Sequence, residues 1–126
     1  MISALHHVQL AMPVGPEAEA EEFYEGILGL RRVAKPAHLG SRGGCWFDNG
    51  EVRIHLGVES EFRPARKAHP ALLVDDLEAL KAVFGKAGID VTMDQPLPGF
   101  ERFYSSDPFG NRLEFLELSD SLPEPS

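Results

Sequence analysis

The stretches 53-RIHLGV-58 and 112-RLEFLE-117 share one pattern: apolar residues alternate with side chains that face the other way. At the matching place a histidine stands in the first and a glutamate in the second. The likeness extends outward. Asp48 and Asp107, Arg53 and Arg112, and His55 and Glu114 are each 59 residues apart. Phe23 and Phe84 are 61 apart, and His7 and His69 are 62 apart. A repeat of about 60 residues therefore accounts for the chain as two copies of one unit.

Each copy reads as a strand, a helix and three further strands, an α+β fold of two tandem βαβββ modules. Module one spans 4–58, a polar linker containing 63-RPARK-67 fills 59–67, and module two spans 68–118. The domain as a whole covers 1–120, with an acidic, proline-containing tail at 119–126. In residues 6–12, Val8, Leu10 and Met12 share one face and His7, Gln9 and Ala11 the other. Pro16 and the acids after it start a single helix that Gly29 ends. Strands are expected near 30–35, 43–48 and 51–58, the last two joined by the turn Asp48-Asn49-Gly50. In module two a strand at 68–74 leads to a helix from Asp76 to Ala87, closed by Gly88. Strands near 90–93, 101–106 and 111–118 follow.

The strand period puts His55 opposite Val52, Ile54 and Leu56, and Glu114 opposite Leu113 and Phe115. His7 and His69 fall on the corresponding face of the first strand of each module. Three imidazoles and one carboxylate suit a divalent metal such as Zn, Ni, Co, Mn or Fe, so His7, His55, His69 and Glu114 are the candidate ligands. Such a centre is a Lewis acid for a small substrate with two oxygens to offer. Glu114 and His55 are the candidate catalytic acid–base groups. Arg102 and Tyr104 alternate with Phe103 on the strand beside Glu114 and are candidate substrate contacts, Arg102 for an anionic group. His6 and His38 have no repeat partner and read as surface residues. Cys45 reads as a small apolar residue of the third strand.

Composition limits the alternatives. With 20 acidic against 12 basic residues the net charge is −8, which disfavours nucleic acid and anionic membrane as partners. A single cysteine and the lack of a secretory pattern at the N-terminus indicate a cytoplasmic chain, and no apolar run is long enough for a membrane span.

The motifs 6-HHVQLAM-12, 23-FYEGILGL-30, 69-HPALLVDDLEAL-80 and 107-DPFGNRLEF-115 resemble the vicinal oxygen chelate superfamily. That group contains glyoxalase I, fosfomycin resistance proteins, extradiol dioxygenases and bleomycin resistance proteins. The resemblance covers residues 4–118 and implies a sheet curled around a metal cleft, with helices outside. It implies ligand positions at His7, His55, His69 and Glu114, and a homodimer. Bacterial glyoxalase I carries glutamate where His55 stands, epimerases tend to carry glutamine, and fosfomycin resistance proteins use only the other three positions. Tyr104 matches a substrate contact of the fosfomycin proteins. The expectation is a metal-dependent enzyme: a lyase, isomerase, thiol transferase or dioxygenase. The alternative is a protein that binds a small molecule or antibiotic in the same cleft without turnover, although bleomycin-binding members lack the ligand set.

Overall fold

A computed structural model describes residues 1–119; beyond Ser119 the expected tail lies outside the described residues. The chain divides between Ala65 and Arg66 into two compact units. The fold is α+β, and each unit holds one four-stranded mixed sheet. In the first unit, β1 (Val8–Met12) is followed by α1 (Glu17–Glu21), β2 (Arg31–Val33), β3 (Cys45–Asp48) and β4 (Arg53–Val58). In the second, β5 (Ala71–Leu73) is followed by α2 (Leu77–Lys86), β6 (Thr92–Met93), β7 (Phe100–Ser106) and β8 (Arg112–Leu118). The strand orders are β1-β4-β3-β2 and β5-β8-β7-β6, the same arrangement twice. In both units the first strand runs parallel to the last, and the remaining pairs are antiparallel.

The expected period places each core. Met12, Phe23, Tyr24, Phe47, Ile54 and Leu56 are buried in the first unit. Phe84, Phe103 and Phe115 form an aromatic cluster in the second, with ring centroids 5.5–5.7 Å apart. Asp76 caps α2 by accepting from the Ala79 amide at 3.0 Å, and Glu117 accepts from the Leu77 amide at 2.6 Å. Together they satisfy two of the free N–H groups at that helix start.

Three local features depart from the sequence reading. The first helix is not uniform: after α1 the chain widens into a π-helical turn over Glu22–Ile27, marked by the Leu28 amide donating to the Phe23 carbonyl at 3.0 Å. The widened turn brings successive residues toward one face, and the neighbours Phe23 and Tyr24 are both buried. A 3₁₀ helix occupies Ala37–Arg42, where no apolar period announces it. His7 and His69 each lie just outside a strand, ahead of β1 and β5. Among the described residues no helix is long and apolar enough to cross a membrane.

Gly44 opens β3 with φ +81°, and a Cβ there would sit 2.1 Å from the Leu56 carbonyl oxygen. Gly50, in the β3–β4 turn, has φ +102° but open space around it. Gly50→Ala should cost about 1 kcal/mol, the backbone penalty alone. Gly44→Ala adds a backbone clash and should cost clearly more, roughly 3 kcal/mol. Urea denaturation of the two variants side by side measures the difference.

Candidate functional site

Strand register builds the site. In the first unit Gln9 faces His55 across β1 and β4, and Trp46 faces His55 across β3 and β4. In the second unit Ala71 faces Glu114 across β5 and β8, and Tyr104 faces Glu114 across β7 and β8. His7 stands two residues before Gln9, and His69 two before Ala71, so each histidine falls on the face of its partner. The four candidate ligands thus form two equivalent pairs, one in each unit.

The pairs differ in kind. The His7 and His55 rings are stacked, with centroids 4.2 Å apart and planes 17° apart. On the other side Trp46 stacks on His55 at 4.0 Å and 5°. Since β4 lies between β1 and β3, His55 is the middle ring of three. It is 8% exposed, whereas His7 is exposed and places Nδ1 2.9 Å from Nδ1 of the exposed His6. Burial, followed by the charges of His7 and His6, lowers the His55 pKa from the usual 6.5. Imidazole ligates in its own plane, and an ion in the plane of one stacked ring lies off the plane of the other.

The second pair is in direct contact. His69 Nε2 lies 2.9 Å from Glu114 Oε1, and Glu114 is only 5% exposed. His69 Nδ1 lies 2.8 Å from the Lys67 carbonyl oxygen. A carbonyl oxygen only accepts, so Nδ1 carries the proton of that contact. In the neutral ring Nε2 then presents a lone pair to a carboxylate oxygen, an arrangement that calls for positive charge between or beside them. Either the ring takes a second proton or a metal ion supplies the charge. The separation suits two neighbouring ligands of one divalent ion, which with bonds of about 2.0–2.2 Å stand about 3 Å apart. A ring held by Nδ1–H on a backbone carbonyl is also the usual support of a metal-binding histidine. His69 and Glu114 therefore fit a divalent ion by donor type and spacing. Within either unit, no three His, Cys, Asp or Glu side chains among the described residues converge on one ion site.

Arg102 completes the second pair. Its Nη1 donates to Glu114 Oε2 at 3.2 Å and to Tyr104 Oη at 3.0 Å. Its Nε donates to the Gln95 carbonyl at 2.9 Å, and Nη2 lies 3.6 Å from Asp94 Oδ2. These contacts let Arg102 orient Glu114; the sequence reading had offered it to an anionic substrate. The Tyr104 and His69 rings stand T-shaped, with centroids 5.4 Å apart, and Arg112 lies over Tyr104 with Cζ 4.0 Å from the ring centroid. Sequence reasoning passed over Trp46 and Arg112. The repeat carries a signal for both, since Trp46 and Tyr104 take the same place against His55 and Glu114, and Arg112 precedes Glu114 by two. Cys45 is buried, and burial foremost pushes its thiol up, so it is no nucleophile. His38 is exposed, as its lack of a repeat partner implied.

A model of the glyoxalase/bleomycin resistance protein/dioxygenase superfamily matches residues 4–115. Among solved structures, a Bacillus anthracis chain assigned to the glyoxalase family is 48% identical, with TM-score 0.89, 94% of this chain and 98% of that chain covered. Fosfomycin resistance protein FosX from Listeria monocytogenes shares the fold at 14% identity, TM-score 0.74, with 96% and 98% covered. Lactoylglutathione lyase from Agrobacterium tumefaciens does so at 23% identity, TM-score 0.68, with 93% and 95% covered. A search among curated proteins finds no match. With the family model spanning nearly the whole repeat, the chain belongs to the glyoxalase/bleomycin resistance protein/dioxygenase superfamily.

Proposed function

We propose that the protein is a metal-dependent enzyme in which a small oxygenated molecule is held through two of its oxygens. The observation that carries this is the His69–Glu114 contact, where two atoms of metal-ligand type stand 2.9 Å apart, held by a proton or by a divalent ion. A bound divalent ion supplies Lewis acidity toward the substrate oxygens. His69, steadied by the Lys67 carbonyl, holds one ligand position. Glu114 holds another through Oε1, while Arg102 keeps Oε2 turned away. Glu114 is also the one buried carboxylate of the pair, and so the group to accept a proton from a carbon or hydroxyl of the substrate. Of the first module's residues we propose His7 as the candidate ligand and His55 as the ring that steadies it, a departure from the four-ligand reading of the sequence.

The reaction type separates from this reading by substrate: lyase, isomerase, transferase and dioxygenase chemistries all use oxygen chelation. A second reading is a binding protein without turnover. One observation favours it: Arg102 already neutralises Glu114, so the pair can persist as an ion network. Metal content decides between the two.

Titration with Zn, Ni, Co, Mn and Fe ions against a competing chelator should give saturable uptake by the wild type. Glu114→Gln and His69→Ala should lower affinity by about a hundredfold or more, and His55→Ala by about tenfold or less. Equal affinities in wild type and Glu114→Gln would sink the enzyme reading. A loss in His55→Ala matching that of His69→Ala would restore His55 as a ligand.

His55 also sets a pH dependence. Its folded pKa is lowered, so the unfolded chain binds the proton more readily, and stability is present above the unfolded value of 6.5. It is lost as pH falls below that value toward the folded pKa. Urea midpoints of the wild type should drop between pH 7.5 and pH 5.5. In His55→Gln that drop should shrink, measured on metal-free protein.

We further propose a homodimer. Leu73 of β5 is 71% exposed, Ala71 is exposed beside it, and β5 is the edge of its sheet. Light scattering should give a mass of about twice 13.9 kDa at micromolar concentration. Leu73→Lys should shift the mass to that of the monomer.

A further inference from the structure

We propose that the second unit carries an anion subsite, a cavity that takes a phosphoryl or carboxylate group. Its volume is about 550 Å³, and its lining includes Arg66, Asp90, Thr92, Tyr104, Ser106 and Arg112. That volume is in the range of small-molecule sites, about 300–1,000 Å³.

The charge of the lining points to an anion. Neither Arg66 nor Arg112 has a carboxylate partner among the described residues, in contrast to Arg102. Arg112 is half-buried and lies over the Tyr104 ring with Cζ 4.0 Å from its centroid. The ring holds the guanidinium in place without giving its N–H groups a charged acceptor, which prepares it for an oxyanion. Asp90 is the one carboxylate of the lining, against two arginines, and it is exposed, so water screens it. The hydroxyls of Thr92 and Ser106 add neutral donors. Ser105, whose hydroxyl already donates to the Asp90 carbonyl at 2.7 Å, does not. On a chain of net charge −8, an anion gains nothing from the general field. Two unpaired arginines in one concavity are the exception that would draw it.

The place of the cavity then defines a substrate class. Ser106 faces Arg112 in the β7–β8 register, two residues along from Tyr104 facing Glu114. Side chains two apart on a strand share a face and stand about 7 Å apart. Tyr104 spans the gap, with Arg112 over its ring and His69 in T-shaped contact with it. A molecule anchored by its anionic group on Arg112 would lie along Tyr104 with its other end at the His69–Glu114 pair. The substrate is thus an anionic oxygenated molecule whose charged group sits a few bonds from the reacting oxygens. This last step rests on the function proposed above; the anion subsite does not.

The test uses the folded chain in EDTA, so that no metal contributes, with inorganic phosphate and malonate as probes. Amide signals of Thr92, Ser106, Gly110 and Arg112 should shift saturably in nuclear magnetic resonance spectra with at least one probe, and the tighter probe separates phosphoryl from carboxylate preference. Arg112→Gln should weaken binding about tenfold or more, with Arg112→Lys recovering part of the loss. Added sodium chloride should weaken it further. The proposal is overturned if neither probe moves these signals at tens of millimolar. It is equally overturned if folded Arg112→Gln and Arg112→Lys both bind as the wild type does. Glu114→Gln should keep phosphate or malonate binding while losing metal. A wild type that takes up no metal but binds the anion at Arg112 would remove the enzyme reading and leave the subsite standing.

Discussion

The parallel pairing of the first strand with the last is the constraint on which each unit depends. Such a pair cannot be closed by a turn; the chain has to cross over, and here the crossover carries the helix and the two middle strands. The last strand therefore sits inside the sheet with a neighbour on both sides, and its outward residue is flanked from both. His55 and Glu114 occupy that position. Each is flanked by one residue just ahead of the first strand and one from the third: His7 and Trp46 in one unit, His69 and Tyr104 in the other. Identical topology hands one unit a stack of rings and the other an ion network, because side-chain chemistry alone differs.

Much of this was legible in the sequence because period and repeat are strong signals. Alternation in 53-RIHLGV-58 and 112-RLEFLE-117 fixes the faces, and the 59-residue offset makes His55 and Glu114 equivalent before any coordinate is known. The caps were equally plain, Asp76 at the start of α2 and Gly88 with φ +73° after its end. What stayed hidden depends on which polar atoms a given side chain reaches. Nothing in a pattern of apolar residues reveals that His69 Nδ1 reaches the Lys67 carbonyl, or that Arg102 is bound by Asp94 and Gln95 of the preceding loop. The π-helical turn was hidden for another reason: its sequence is compatible with an α-helix, and packing of Phe23 and Tyr24 together decides otherwise.

The place equivalent to Arg102 in the first unit shows what the repeat has exchanged. Arg102 precedes Tyr104 by two, and Gly44 precedes Trp46 by two. At Gly44 the backbone passes so close to Leu56 that no side chain fits, so nothing in the first unit takes the place of Arg102, and His55 is buried among rings. In the second unit the carboxylate is buried instead, and burying it requires compensation. Arg102 and His69 supply that compensation from two sides, one for each oxygen.

This division assigns the arginines of the second unit. Arg102 donates to Glu114, Tyr104 and a carbonyl and pairs with Asp94, and releasing it would leave Glu114 buried without that charge partner. Its type and strand position made it a candidate substrate contact from sequence, and its contacts add a role in holding Glu114. Arg112 is held by a ring. Between two arginines on one sheet face, ten residues apart in sequence, Arg102 is tied to carboxylates and Arg112 lies over a ring without a carboxylate partner among the described residues.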